Sequence, residues 1–174
     1  MLPYALTVEA WWPVTAPLTN GSDNRSAEAY VKVIEQFQVE KNPRYKPLIE
    51  VPNNLKTFCN IFCWDCTRAL GCEIPHWWLN NELTANEMIS WLDGRGELHG
   101  WKKATKEEAR VSALAGRPTV AAWKNPKRSA PGHMAMVLPD SKEIIIAQAG
   151  KDNFARARLS VGFGDFSVSF WVHT

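Results

Sequence analysis

Apolar and polar positions follow two different periods along this chain, and the change near Pro118 separates a helical part from a strand part. Ser22 to Val39 carries Ala27, Tyr30, Val31, Ile34, Phe37 and Gln38 along one side, which predicts an amphipathic helix stopped by Asn42-Pro43. Pro43 to Pro52 reads as a loop bearing Arg44 and Tyr45. Phe58, Ile61, Phe62, Cys66, Ala69 and Leu70 then recur at helical spacing, with Asn53, Asn54 and Thr57 available as N-caps and Gly71 as the C-terminal stop. The stretch Ile74-Pro-His-Trp-Trp78 reads as a loop. Thr84 with Glu87 and Thr105 with Glu108 have capping-box spacing. The first box opens a short helix through Met88, Ile89 and Leu92 that Gly94 and Gly96 end; the second opens one reaching Gly116.

From Pro118 onward the period falls to two. Strands are predicted at Thr119 to Trp123, His133 to Leu138, Glu143 to Ala149 and Phe166 to His173, divided by Gly, Pro, Asp and Lys turns. Helices followed by strands predict an α+β domain in which a mostly antiparallel sheet packs against the cysteine-bearing helix. Residues 1–22 hold Pro3, Pro13, Pro17 and Gly21 and are expected to form an irregular arm.

At 174 residues, 45% apolar and 22% charged, the chain suits one globular domain with a real core. A formal charge of +2 gives no argument for nucleic acid, although a slightly basic surface suits an anionic polymer. No apolar run approaches the ~20 residues of a membrane span, so no membrane insertion is expected. Met1 to Trp12 shows no basic segment followed by an apolar one, which predicts a protein made in the cytoplasm without a signal peptide. Cys59, Cys63 and Cys66 crowd together with Cys72 nearby, unlike a spread disulfide framework, and reduced thiols are expected. The nine tryptophans suggest a large aromatic core, with sugar stacking by the pairs Trp11-Trp12 and Trp77-Trp78 as the alternative.

Candidate chemistry centres on Cys59. A cysteine in the first turn of a helix meets free backbone N–H groups and the positive end of the helix dipole, which favour thiolate and can hold an oxyanion. The turn signal Pro139-Asp-Ser-Lys142 centres a hairpin between Asp140 and Ser141, so that Leu138 faces Glu143 and His133 falls opposite Gln148. Opposed residues share a sheet face, and Gln148 is then able to orient His133. Nucleophile, general base and orienting group make a complete set for acyl transfer. The same residues also fit a buried structural cysteine, a surface histidine and an edge glutamine, and spacing alone does not separate the two.

Thr57-Phe-Cys-Asn-Ile-Phe62, then Gly132-His-Met-Ala-Met-Val137, then Ile145-Ile-Ala-Gln-Ala149 resembles, in these motifs and their order, the NlpC/P60 and CHAP cysteine peptidases and amidases that cut bacterial peptidoglycan. The resemblance runs from about Pro43 to the C-terminus and includes a stretch, Asn42-Pro-Arg-Tyr45 through Ile74-Pro-His-Trp77, similar to phage lysins. Many NlpC/P60 members have Asp just before the nucleophile; Phe58 stands there in this chain, closer to a CHAP or divergent lysin pattern. The resemblance implies a single papain-like domain with Cys59 as nucleophile, His133 as base and Gln148 as orienting residue. It also implies Tyr45 near the reaction centre, with Asn60 and Trp77 as further substrate contacts. The expected partner is peptidoglycan, cut by a monomer without cofactor or metal, as a phage lysin or, alternatively, a secreted antibacterial effector.

Three rival readings stand beside this one. Cys59-x-x-x-Cys63-x-x-Cys66 has the spacing of a radical-SAM iron–sulfur site, yet Asp65 stands where an aromatic is usual and the segment is helical in a short chain. Structural zinc is disfavoured because three thiolates along one helix face rarely converge tetrahedrally. Cys63, Cys66 and Cys72 read as core, and His76, His99 and His173 as ordinary polar residues. A catalytically inactive wall-binding module that stacks its tryptophans on sugars is the second functional reading.

Overall fold

The structure is a computed structural model that describes residues 25–51, 54–127 and 129–174. The expected irregular arm at 1–22, the pair Trp11-Trp12 and the N-cap candidate Asn53 lie outside the described residues. Helix α1 (Ala27–Glu35) begins where the Ser26 hydroxyl accepts the Ala29 N–H at 3.1 Å, and it buries Tyr30, Val33 and Ile34. It ends earlier than its apolar pattern predicts. Gln38, assigned to the apolar side, is exposed with φ of 45°, and the chain turns there before Asn42-Pro43 is reached.

A 3₁₀ turn (Pro43–Tyr45) leads to strands β1 (Leu48–Val51) and β2 (Asn54–Lys56), a small antiparallel pair where a loop was expected. Helix α2 (Cys59–Ala69) follows. Its capping differs from expectation: Phe58 occupies the N-cap position and makes no side-chain capping hydrogen bond. At the other end Gly71, with φ of 74°, takes the left-handed conformation. The Gly71 and Cys72 N–H groups donate to the Arg68 and Thr67 carbonyls at 3.0 and 2.9 Å, a Schellman closure.

After α2 a short hairpin of β3 (Trp77–Trp78) and β4 (Asn81–Glu82) replaces the expected loop. Leu79 and Asn80 turn it with φ of 49° and 64°. Both predicted capping boxes form, on α3 (Ala85–Arg95) and α4 (Lys106–Leu114), while Gly94 sits inside α3 and Gly96 starts a 3₁₀ turn to His99.

The remaining strands form a six-stranded sheet: β5 (Trp101–Ala104), β6 (Thr119–Trp123), β7 (His133–Leu138), β8 (Ile145–Gln148), β9 (Phe154–Arg158) and β10 (Ser169–His173), in the order β5-β10-β6-β7-β8-β9. Every neighbouring pair is antiparallel. A five-residue helix, α5 (Leu159–Phe163), joins β9 to the β10 segment. β6 and β7 match their predicted bounds; β8 and β10 are shorter than predicted, and β5, β9 and α5 were not predicted. Helix α2 packs on β7 and β8, α3 on β6 and β7, and α4 on β10, β7 and β6. Val120 to Ala122 and Met134 to Val137 are all buried whatever their parity, which requires cover on both faces of the central strands. Tyr30 ties α1 to this centre by donating to the Val137 carbonyl at 2.8 Å and accepting from the Thr119 N–H at 3.1 Å. This is an α+β fold with the cysteine helix on an antiparallel sheet.

One buried ion pair fastens α2 from outside. Arg44 Nε and Nη2 donate to the two carboxylate oxygens of Asp65 at 2.6 and 3.0 Å, and the Tyr45 hydroxyl donates to the same carboxylate at 2.6 Å. Burial raises the Asp65 carboxyl to about 6 against the downward pull of Arg44 and Tyr45. Of the described tryptophans, Trp64, Trp91, Trp101 and Trp171 are buried, so aromatic area goes chiefly to the core and Trp77 remains the exposed one.

Candidate active site

Three element ends meet at one end of the interior strands β7 and β8. Cys59 is the first residue of α2, His133 the first of β7 and Gln148 the last of β8, and antiparallel pairing brings the start of β7 beside the end of β8. His133 and Gln148 are joined by a 2.6 Å hydrogen bond between Nε2 and Oε1. The imidazole is also hydrogen-bonded to Cys59, which leaves Nδ1 for the sulfur.

The pairing register corrects the hairpin expectation. Leu138 faces Ile145 instead of Glu143, and Met136 faces Ala147, so continuing the register sets Gly150, not Gln148, across from His133. The cause is local: Asp140 Oδ1 accepts the Lys142 and Glu143 N–H groups at 2.8 and 3.1 Å, which takes both out of the ladder and lengthens the loop. The shift is two residues, so Gln148 keeps the face of His133 and reaches it diagonally.

Glycines make that diagonal possible. A Cβ at Gly150 would lie 2.8 Å from Gln148 Nε2, and one at Gly162 would lie 2.3 Å from Gln148 Oε1. The Gln148 Nε2 donates to the Asp152 carbonyl at 3.1 Å, which fixes the amide with its oxygen toward His133. Asn153 holds the same turn: its Oδ1 accepts from the Gly150 N–H at 3.0 Å, and its Nδ2 donates to the Val39 and Tyr45 carbonyls at 3.1 and 2.8 Å. Phe163 packs its ring 4.8 Å from the His133 ring. Asn86 of α3 steadies the chain entering β7, donating to the Ala130 carbonyl and accepting from the Asn125 N–H, both at 2.9 Å.

Electrostatically the pair favours separated charge. Burial pushes the Cys59 thiol up, but the hydrogen bond and charge of His133, with the Met134 and Asn60 backbone N–H groups, outweigh it and hold the thiol below its ordinary value. Burial pushes His133 down, and Cys59 and Gln148 outweigh that and raise it. Both shifts run in the direction that favours thiolate beside imidazolium. Cys63, Cys66 and Cys72 are buried without such partners and held well above the ordinary thiol range by burial.

A cleft of ≈ 420 Å³ opens over Cys59, lined among others by Thr57, Asn60, Glu82, Leu83, Pro131 and Gly132. Cys59, 4% exposed, sits at its floor. Asn60 lies on the lining and donates to the Leu83 carbonyl at 3.0 Å, which pins the segment after the β3–β4 hairpin to the start of α2. Trp77, half exposed, stands directly across the hairpin from Glu82. Tyr45 departs from expectation: it is fully buried and its hydroxyl is spent on Asp65, so its side chain offers a substrate no surface and braces α2 instead.

The residues that sequence reasoning passed over are Glu82, Asn86, Gly150, Asn153 and Gly162. Gly150-Lys-Asp-Asn153 carried a turn signal, but nothing in it pointed to Gln148. Among the described residues no group of three or more His, Cys, Asp or Glu side chains is arranged to hold a metal ion, and no helix is long and apolar enough to cross a membrane. Compared with models of known protein families and with curated protein sequences, the chain matches none.

Proposed function

We propose that this protein is a papain-like cysteine hydrolase that cuts amide bonds in the peptide part of bacterial peptidoglycan, acting as a phage lysin or an antibacterial effector. The observation that carries the chemistry is the run Cys59–His133–Gln148 at the meeting ends of α2, β7 and β8, with Cys59 in the lining of a cleft and its thiol at a helix start that no side chain caps. The sequence resemblance supports the substrate.

In this reading the Cys59 thiolate attacks the amide carbonyl carbon, a C–S bond forms, and the carbonyl electron pair moves to oxygen. N–H groups at the start of α2 receive that oxyanion. Its collapse breaks the C–N bond as the His133 imidazolium gives its proton to the leaving amine. A water molecule, losing a proton to His133, then attacks the thioester; the C–S bond breaks, the carboxylic acid leaves, and thiolate and imidazolium are restored. Gln148 keeps Nε2 protonated and the ring aligned throughout.

Mass spectrometry of purified wall digested with the protein tests the proposal and names the bond. Fragments ending in new amines and carboxylates, lost after iodoacetamide and in Cys59→Ser but kept in chelator, support it. Digestion that survives both thiol blockades, or that chelator alone stops, refutes it.

A further inference from the structure

The lining of the cleft over Cys59 carries one carboxylate, that of Glu82. Its position is set from two sides. The Leu83 N–H donates to the His76 carbonyl at 2.7 Å, closing the hairpin, and the Leu83 carbonyl accepts from Asn60, the residue next to Cys59. Thr84 then caps α3, so the carboxylate rides on a short segment held at both ends beside the nucleophile.

Behind Glu82 lies His76, fully buried, its ring 5.0 Å from that of Trp64. Its Nε2 is 3.1 Å from Glu82 Oε1, off the direction of a well-formed hydrogen bond. Among the described residues His76 is the one partner of this carboxylate, whose side chain is 40% exposed toward the cleft. Burial holds His76 below its ordinary range against the upward pull of Glu82, so the ring brings little positive charge to the carboxylate, and Lys56 is the cationic side chain on the same lining. Trp77, directly opposed to Glu82, shows a half-exposed indole on the same hairpin face. Carboxylate and aromatic together are the two groups that bind an alkylammonium, by charge-assisted hydrogen bonding and by the ring's negative face.

We propose that Glu82, with Trp77 beside it, forms a subsite for a primary ammonium group of the substrate, so that the cleft selects peptides carrying a free amine near the bond to be cut. The inference rests on the hydrolase reading for the bond, but not for the binding. In a stem peptide the ammonium is either the free α-amino end or the side-chain amine of a diamino acid.

The test uses the full chain as Cys59→Ala, titrated calorimetrically with the tripeptide L-Ala-γ-D-Glu-L-Lys and with its α-N-acetyl and ε-N-acetyl forms. One of the two acetylations should weaken binding about tenfold, the scale of a half-exposed ion pair with a cation–π contact, and its identity names the amine. Adding Glu82→Gln should abolish that difference, and Glu82→Asp should restore part of it. A role for Glu82 confined to holding His76 would move thermal stability and leave the difference intact. Equal affinity for all three peptides, no binding of any, or discrimination that survives Glu82→Gln overturns the subsite. Wall digestion by the unmodified protein is scored separately: digestion without discrimination removes the subsite alone, and discrimination without digestion removes the hydrolase alone.

Discussion

His133 and Gln148 are bonded at 2.6 Å without facing each other in the sheet; glutamine leans across from a position two residues off the opposing one, over a glycine. The geometry separates their roles, since one ring nitrogen serves the thiol and the other only aligns the ring. His133→Ala should therefore lower the rate by about 10³-fold or more, and Gln148→Ala by about 10- to 100-fold, in initial rates of wall clearing with circular dichroism as the folding control. Full activity in both variants removes the site.

Gly162 should matter through Gln148. A methyl there meets Gln148 Oε1 at 2.3 Å and Ile146 Cδ1 at 2.8 Å, so Gly162→Ala must displace the amide and should cut the rate as Gln148→Ala does. Gly71→Ala is the contrast. It forces an alanine to φ of 74° with open space around it, which should cost about 1 kcal/mol of stability and leave the rate alone. Denaturant melts and rates on the two variants check the pair.

Thiol chemistry gives the pH prediction. His133 lowers the Cys59 pKa, so alkylation by iodoacetamide should reach half its maximal rate at a pH below 9.0, the ordinary thiol value. In His133→Ala only the Met134 and Asn60 backbone N–H groups still oppose burial, and the midpoint should move up. The native protein should gain one label, at Cys59, because burial keeps Cys63, Cys66 and Cys72 as thiols. Intact mass before and after unfolding reads this directly; labelling at Cys63 or Cys66 in preference to Cys59 contradicts it.

Much of this was legible in the residues because local chemistry and tertiary structure agree. Thr84 with Glu87 and Thr105 with Glu108 close as capping boxes, Gly71 ends α2, and β6 and β7 start and stop where their alternation does. The β7–β8 register was misread because the Asp140 side chain, not the backbone turn alone, sets the loop length. The strand period of two then preserved the face, so His133 still meets Gln148. Tyr45 could not be assigned from sequence, since only the fold reveals that Asp65, twenty residues on, turns inward to take its hydroxyl. β5 and β9 carry lysines and arginines that hide their period, and they sit at the two edges of the sheet, where charge is tolerated.

The brace beneath α2 should be worth more than a surface pair. Asp65→Ala leaves the Arg44 guanidinium buried without its carboxylate, which should cost about 3–5 kcal/mol. Arg44→Met with Asp65→Leu removes both charges and should recover most of that loss. Chemical denaturation of the single and double variants checks it; additive losses contradict the pairing.

The central claim is that Cys59 and His133 cleave an amide of the wall. Glycosidases usually work with two flanking carboxylates, and the cleft over Cys59 is lined by one. The decisive measurement is the count of new free amines and new reducing sugar ends in purified peptidoglycan digested by the protein and by Cys59→Ser. The account predicts that amines rise, reducing ends do not, and Cys59→Ser releases neither. Reducing ends rising without amines, or undiminished release by Cys59→Ser, contradicts it.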